Sequence, residues 1–153
     1  VSEVTFYLEE LYEPATGQLA YRFVPKTLDV AGDFQIDESN IEGELCRMGQ
    51  LIACYGEIQA NLKAALARRE DAAKREWAAA FLRFQQAGKT TVDALKAQAE
   101  TDPAVQAANV NRRQFEEQFA KIDNYFKALL RKCDCLTALT YKIKAEFQRG
   151  DRG

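Results

Sequence analysis

The sequence predicts a mainly α protein: an N-terminal β-hairpin followed by a long antiparallel helical hairpin of coiled-coil type, assembling into an oligomer. Three observations carry this. Residues 3–25 hold two β-branched and aromatic runs around a Pro- and Gly-bearing turn. Apolar residues then recur every three or four positions from Ile41 to Phe84, and again from Val105 to Phe147. The expected organisation is an acidic β-hairpin and connector over residues 1–34, then an α-hairpin over residues 35–150 with its apex at about residues 88–102.

The first run, Glu3 to Tyr12, partly alternates. The segment Glu13-Pro14-Ala15-Thr16-Gly17-Gln18 reads as a turn, and Leu19 to Pro25 as the returning strand, with residues 26–34 as connector. A lone two-stranded hairpin is marginal in water, so one of its faces must rest on helices or on another subunit.

From Asp37 the period changes to that of a helix. Ile41, Leu45, Met48, Ile52, Tyr55, Leu62, Leu66, Ala73, Trp77, Ala80 and Phe84 form a stripe interrupted by Gln59 and Arg69, with no Pro before Gly88. Asp37, Glu38 and Ser39 are candidate N-caps and Gly88 a candidate C-cap. Gly43, Gly49 and Gly56 lie in the first half, where they predict close packing or a bend. A short helix through about Ala99 forms the apex. Asp102 before Pro103 then marks the next helix start, a capping residue followed by Pro at the first helical position.

That second helix keeps a strict three-four alternation for six heptads: Val105, Ala108, Arg112, Phe115, Phe119, Ile122, Phe126, Leu129, Cys133, Leu136, Thr140, Ile143 and Phe147. The seam residues Trp77, Phe84, Phe115, Phe119, Phe126, Leu129 and Leu136 present more apolar surface than two helices bury between them. Further subunits are therefore expected.

Composition narrows function. The chain has 153 residues, 47% of them hydrophobic and 29% charged, with only 3 Pro, so it folds rather than remaining disordered. It has no His, which removes His-based triads, proton shuttles and His-containing zinc sites. Phosphate loops, dinucleotide fingerprints and nucleophile elbows are also missing, so no catalytic residue, no metal and no cofactor are assigned, and the protein is not read as an enzyme. Cys46, Cys54, Cys133 and Cys135 lack redox or zinc-ribbon spacing and read as buried reduced thiols. The adjacent carboxylates Glu9/Glu10 and Glu116/Glu117 read as surface. No apolar run spans a membrane and the first residues do not resemble a signal peptide, so a soluble, cytoplasmic protein is expected.

The net charge of −2 conceals a division. In residues 1–40 Arg22 and Lys26 face eight acidic residues, a net of −6, leaving +4 for the remainder. The basic residues of the predicted hairpin are Lys63, Arg68, Arg69, Lys74, Arg75, Arg83 and Lys89 on the first helix and Arg112, Arg113, Lys121 and Lys127 on the second. Counting back from the apex sets position 75 level with about 114 and position 68 with about 121. The two basic sets then meet, giving a face able to neutralise nucleic-acid phosphates, with Trp77 or Tyr125 available for stacking. Interspersed acids leave a solvated face of helical ion pairs as the other reading.

Gln35-Ile36-Asp37, Ile41, Asn61-Leu62-Lys63, Arg68-Arg69, Phe81-Leu82-Arg83-Phe84 and Gly88 follow in the order and spacing of the UvsY-like recombination mediators of phages, which this sequence resembles. Asp102, Val105 and the aromatic-rich helix to Ile143 resemble that family's second long helix, so the resemblance covers about two-thirds of the chain. It implies a ring-forming, non-enzymatic homo-oligomer that binds single-stranded DNA and helps load a recombinase onto DNA covered by single-strand-binding protein. The implied DNA contacts are Lys63, Arg68, Arg69, Lys74, Arg75, Arg83, Lys89, Arg112 and Arg113. Two departures stand out: Ala78 and Ala80 occupy the positions of a basic pair in that family, and the acidic hairpin has no recognised counterpart. A structural or adaptor helical protein without nucleic-acid binding, and a small inhibitor whose acidic hairpin mimics nucleic acid, are the other function classes.

Overall fold

The computed structural model describes residues 2–88 and 90–150. Strands β1 (Glu3–Tyr12) and β2 (Ala20–Asp29) are followed by the short helix α1 (Val30–Phe34), a 3-10 turn over Glu38–Asn40, and helices α2 (Ile41–Ala87), α3 (Val92–Thr101) and α4 (Pro103–Gly150). The predicted class, a β-hairpin followed by long helices, is what the chain adopts. Helices α2 and α4, of 47 and 48 residues, each extend about 70 Å at about 1.5 Å per residue. The chain forms two compact units, one of Val1–Ala60 with Lys121–Gly153 and the other of Asn61–Ala120.

In the first unit the strands pair antiparallel from Glu3↔Asp29 to Tyr12↔Ala20. β2 runs four residues beyond the predicted strand end and takes in Pro25, opposite Tyr7. A two-stranded sheet is all edge, so a residue without an N–H is tolerated there. The connecting turn closes with Gly17 N donating to the Pro14 carbonyl at 2.9 Å, and Gly17 alone of the described residues takes a left-handed φ, +75°. The whole of the predicted connector is thus strand and α1, whose start is capped by Asp29 and by Ser2: Gly32 N donates to Asp29 Oδ1 at 3.1 Å and Ala31 N to Ser2 Oγ at 3.0 Å.

Of the candidate caps before α2, Asp37 accepts from Ser39 N at 2.9 Å and caps the 3-10 turn, and hydrogen bonds from Ser39 hold its carboxyl below the usual range. The cap of α2 itself is Asn40, which accepts from Gly43 N at 3.1 Å. A Cβ at Gly43 would collide with the Asn40 amide, so this glycine serves the cap rather than a bend. At Gly56 the nearest atom to an added Cβ is Phe126 Cε2 at 3.6 Å, the close packing expected there.

Within this unit α2 and α4 run antiparallel: Gln59 Nε2 donates to Asp123 Oδ1 at 2.7 Å and, further from the apex, Lys132 Nζ to Glu44 Oε2 at 2.8 Å. Phe6, Met48, Tyr55, Ile58, Ile122, Leu129 and Leu136 are buried here, and the Phe34 ring lies 6.2 Å from each of the rings of Tyr55 and Tyr125. Phe6 meets Tyr125 edge-on at 6.5 Å, which seats the even-numbered face of the hairpin.

This core also encloses polar groups. Asp33, 6% exposed, accepts from Arg47 Nη2 at 2.6 Å and from the Tyr55 hydroxyl at 3.0 Å. Burial and the Asp33 carboxylate together push the Tyr55 phenol far above its usual range. Lys132, also 6% exposed, donates to the Asp33 carbonyl at 2.8 Å and to the Gln35 carbonyl in addition to Glu44. One ammonium on α4 thereby satisfies two carbonyls at the end of α1, which its own short helix leaves without partners.

Two expectations are corrected in this unit. Glu9, read as surface, is 6% exposed. It lies across from Phe23 and between Tyr7 and Leu11 on one strand face, so large side chains surround it. Cys46 and Cys135, read as buried thiols, are exposed, while Cys54 and Cys133 are half-buried, and all four are free. Helical residues just outside a packed stripe look apolar in composition yet point to water.

In the second unit Arg69 and Phe115, and Arg83 and Asp102, pair across an antiparallel α2/α4 segment. Ala80, Ala99 and Val105 are buried together, with Trp77, Phe81 and Phe84 packed against them. Thr91 caps α3, accepting from Ala94 N at 3.3 Å, and Asp102 caps α4, accepting from Ala104 N at 3.0 Å. Asp102–Pro103 is thus the predicted helix start, but Gly88, although it follows α2, takes no left-handed conformation. The predicted register is offset: Arg69 faces Phe115, about one helical turn from the position that counting back from the apex assigned. The apex holds the expected short helix, α3, but its Leu95 and Ala99 turn into the core, so the limbs are not symmetric about its midpoint and counting from there misplaces the return limb.

The apolar stripe of α4 persists from Val105 to Leu136, every seam position being buried or half-buried. It ends at Ile143 and Phe147, which are exposed. The two polar interruptions of the α2 stripe each meet a partner within their own unit, Gln59 with Asp123 and Arg69 with Phe115.

Candidate nucleic-acid interface

The predicted cations of the second unit occupy different situations. Lys63, Lys74, Arg75 and Arg113 are exposed and form no ion pair among the described residues. Lys63 and Lys74 are eleven residues apart, three helical turns, and so share one stripe of α2, with Arg75 beside it. Arg68 and Arg69 are half-buried, and the Arg69 guanidinium lies 4.4 Å from the centre of the Phe115 ring, a cation–π contact that holds it against the helix pair.

Arg83 is tied to the apex. Its Nη2 lies 2.9 Å from Asp102 Oδ2, whose other oxygen caps α4. One carboxylate therefore anchors both the helix start and the arginine. Arg112 pairs with Glu116 at 3.1 Å, one turn along α4. Lys89 lies outside the described residues.

Arg112 also lines an open groove of about 500 Å³ together with Glu70, Ala73, Lys74, Trp77 and Asn109. Local sequence makes this groove. Ala73 is too small to fill the space between the helices, while Trp77, one turn on, stands as a wall. The Trp77 indole stacks on Phe81, with centroids 5.3 Å apart and planes 21° from parallel, which fixes its orientation. The groove thus combines two cations, one carboxylate, an amide and the sole tryptophan of the chain. Such a lining suits a phosphate beside a flat ring.

The structure gathers Lys74, Arg112 and Trp77 at this groove and sets Lys63, Arg75 and Arg113 on nearby exposed surface of the same unit, whereas Arg68, Arg69 and Arg83 are packed or engaged. Seam residues Trp77, Phe84, Phe115 and Phe119 are half-buried here. In the first unit Phe126 is half-buried, and Leu129 and Leu136 are fully buried. Two groove residues escaped sequence reasoning. Asn109 flanks the α4 seam three residues before Arg112, and Glu70 sits four before Lys74; only spacing relative to a known cation marks either. Tyr125, a candidate stacking ring, instead packs on Phe6 and Phe34 in the first unit. Among the described residues no group of three or more carboxylates or thiols is placed to hold a metal, and no helix is long and apolar enough to cross a membrane.

Fold and site define a class: helical-hairpin proteins with an appended β-hairpin and a cationic, tryptophan-walled groove between two long helices. No family model and no curated protein matches the sequence. Among solved structures, the chain is similar to the recombination mediator protein UvsY of bacteriophage T4, with a TM-score of 0.65 over 77% of this chain and 93% of that one. The two sequences are 14% identical over that alignment, so the likeness is one of fold.

Proposed function

We propose that this protein is a non-enzymatic, homo-oligomeric recombination mediator that binds single-stranded DNA in the cytoplasm and helps load a recombinase onto strands covered by single-strand-binding protein. The observation that carries the reading is the fold shared with a phage recombination mediator over nearly all of that chain, combined with a groove bearing Lys74, Trp77 and Arg112. Lys63, Lys74, Arg75 and Arg113 supply phosphate contacts, and Trp77 a stacking surface. Repetition of a modest patch around a ring of identical subunits supplies avidity.

The test is a fluorescence anisotropy titration of labelled oligo-dT against salt. With a slope of about −0.7 per neutralised phosphate on single strands, four cations on one chain predict a loss of affinity on the order of 50-fold between about 50 and 200 mM salt. Binding indifferent to salt, or no binding at the lower salt, removes the reading. It would leave a structural or adaptor protein, a class favoured by the exposed aromatic face of the hairpin.

A further inference from the structure

The two faces of the β-hairpin differ in charge. Register places Glu3, Thr5, Tyr7, Glu9 and Leu11 of β1 on one face with Tyr21, Phe23, Pro25, Thr27 and Asp29 of β2. That odd-numbered face carries three carboxylates and no cation; both basic residues of the hairpin, Arg22 and Lys26, lie on the other face. The even face is the one seated on helices through Phe6 and Leu28, at 0% and 5% exposure. On the odd face Tyr7, Leu11, Tyr21 and Phe23 are each between 51% and 58% exposed. Single exposed apolar side chains are ordinary, but four on one sheet face, among acids, make a patch of the kind that marks an interaction surface.

The complementary surface is on the same chain. Beyond Leu136 the α4 stripe continues through Ile143 to Phe147, which are 37% and 74% exposed. Lys142, Lys144 and Arg149 flank it, against one acid, Glu146. At 100° per residue Ile143 and Phe147 stay on the stripe, Lys144 lies about 80° to one side and Glu146 about 80° to the other, with Lys142 and Arg149 about 120–140° round the helix. This is a basic, aromatic helix end, opposite in sign to the hairpin face and alike in its apolar character.

We propose that the odd-numbered face of the hairpin in one copy of this chain receives the terminal turns of α4, residues 141–149, of a second copy. Ile143 and Phe147 cover the rings of Tyr7, Tyr21 and Phe23, while Lys144 beside them, with the long side chains of Lys142 and Arg149 reaching round the helix, faces the exposed carboxylates Glu3 and Asp29. Opposite charges set the register and exclude like faces from pairing, while apolar contact supplies the adhesion. The contact joins two different patches, so a bound pair still offers one of each, and a closed ring results when the rotation between copies closes. The inference rests on the self-assembly in the proposed function and names its surfaces.

Sedimentation velocity of the full chain at micromolar concentration tests it with two variants, Leu11→Lys/Phe23→Lys on the hairpin and Lys144→Glu/Phe147→Glu on α4. These four positions are exposed, and circular dichroism checks that each variant folds. Wild type is expected to assemble beyond a dimer, and each variant alone to sediment as a monomer. An equimolar mixture of the two retains one intact pair of surfaces and is expected to stop at a dimer. Variants that assemble as wild type does, a mixture that stays monomeric, or a monomeric wild type would each overturn the inference. Oligo-dT binding, measured separately on the same samples, reports the DNA reading independently: lost assembly with retained binding by monomers separates the two.

Discussion

The Lys132 ammonium lies 2.8 Å from the Glu44 carboxylate, the two side chains being 4% and 13% exposed, in a place where neither residue could be buried alone. The remaining protons of Lys132 go to the carbonyls of Asp33 and Gln35, so one group on α4 holds α2 and the chain leaving α1 together. Removing it strands a carboxylate and two carbonyls in the interior.

Lys132→Met is therefore expected to destabilise the first unit by about 3–5 kcal/mol, the range for breaking one side of a buried ion pair. Urea unfolding followed by circular dichroism measures this. The double variant Lys132→Met/Glu44→Leu should recover part of the loss, because it leaves no uncompensated charge. A single variant as stable as wild type would show that the ammonium is dispensable.

Tyr55 gives the fold an alkaline limit. Its phenol is buried against Asp33, which raises its pKa in the folded chain above the usual value of about 10. Above pH 10 the folded state therefore keeps a proton that the unfolded state releases, and stability falls as pH rises through that window; below it the contribution is fully present. Tyr55→Phe should remove this component of the alkaline slope at a cost near neutrality of about 1 kcal/mol for the lost hydrogen bond. Denaturation midpoints from neutral to strongly alkaline pH, compared between the two proteins, check both effects.

Asp102 should matter more to the apex than its partner does. It caps α4 and binds Arg83, so Asp102→Ala is expected to cost about 1–2 kcal/mol. Arg83→Ala, whose side chain is 61% exposed, should cost no more than the several tenths typical of an exposed pair. Hydrogen exchange at the Ala104 amide reports the cap directly and should accelerate in the first variant only.

Trp77 provides an internal reporter of the proposed DNA contact. It is the sole tryptophan and forms a wall of the groove with Lys74 and Arg112, so oligo-dT should quench its emission. Lys74→Ala/Arg75→Ala should lower the salt slope of binding by about 1.4. Arg83→Ala, already engaged by Asp102, should change it less. Equal effects from the two variants would move the site toward the apex.

What the sequence by itself determined is the set of elements and their inner faces. The α4 heptads name Val105, Ile122, Leu129 and Leu136, all buried, because side-chain direction on a helix follows from spacing alone. Asp102–Pro103 marks a helix start because the cap and the fixed φ act locally. The basic residues of the site were likewise legible as a population. Periodicity says which way a residue points but not what it meets, so only the tertiary structure decided that Arg83 is held by Asp102 and Arg69 by Phe115 while Lys74 and Arg112 border a groove. It also decided the α2/α4 register, which depends on how α3 packs. The burial of Lys132, Asp33 and Glu9 has the same origin. Lys132 does sit between Leu129 and Leu136 at spacings of three and four, but a charge can be buried only where partners await it, and its carbonyl partners come from nearly 100 residues earlier in the chain.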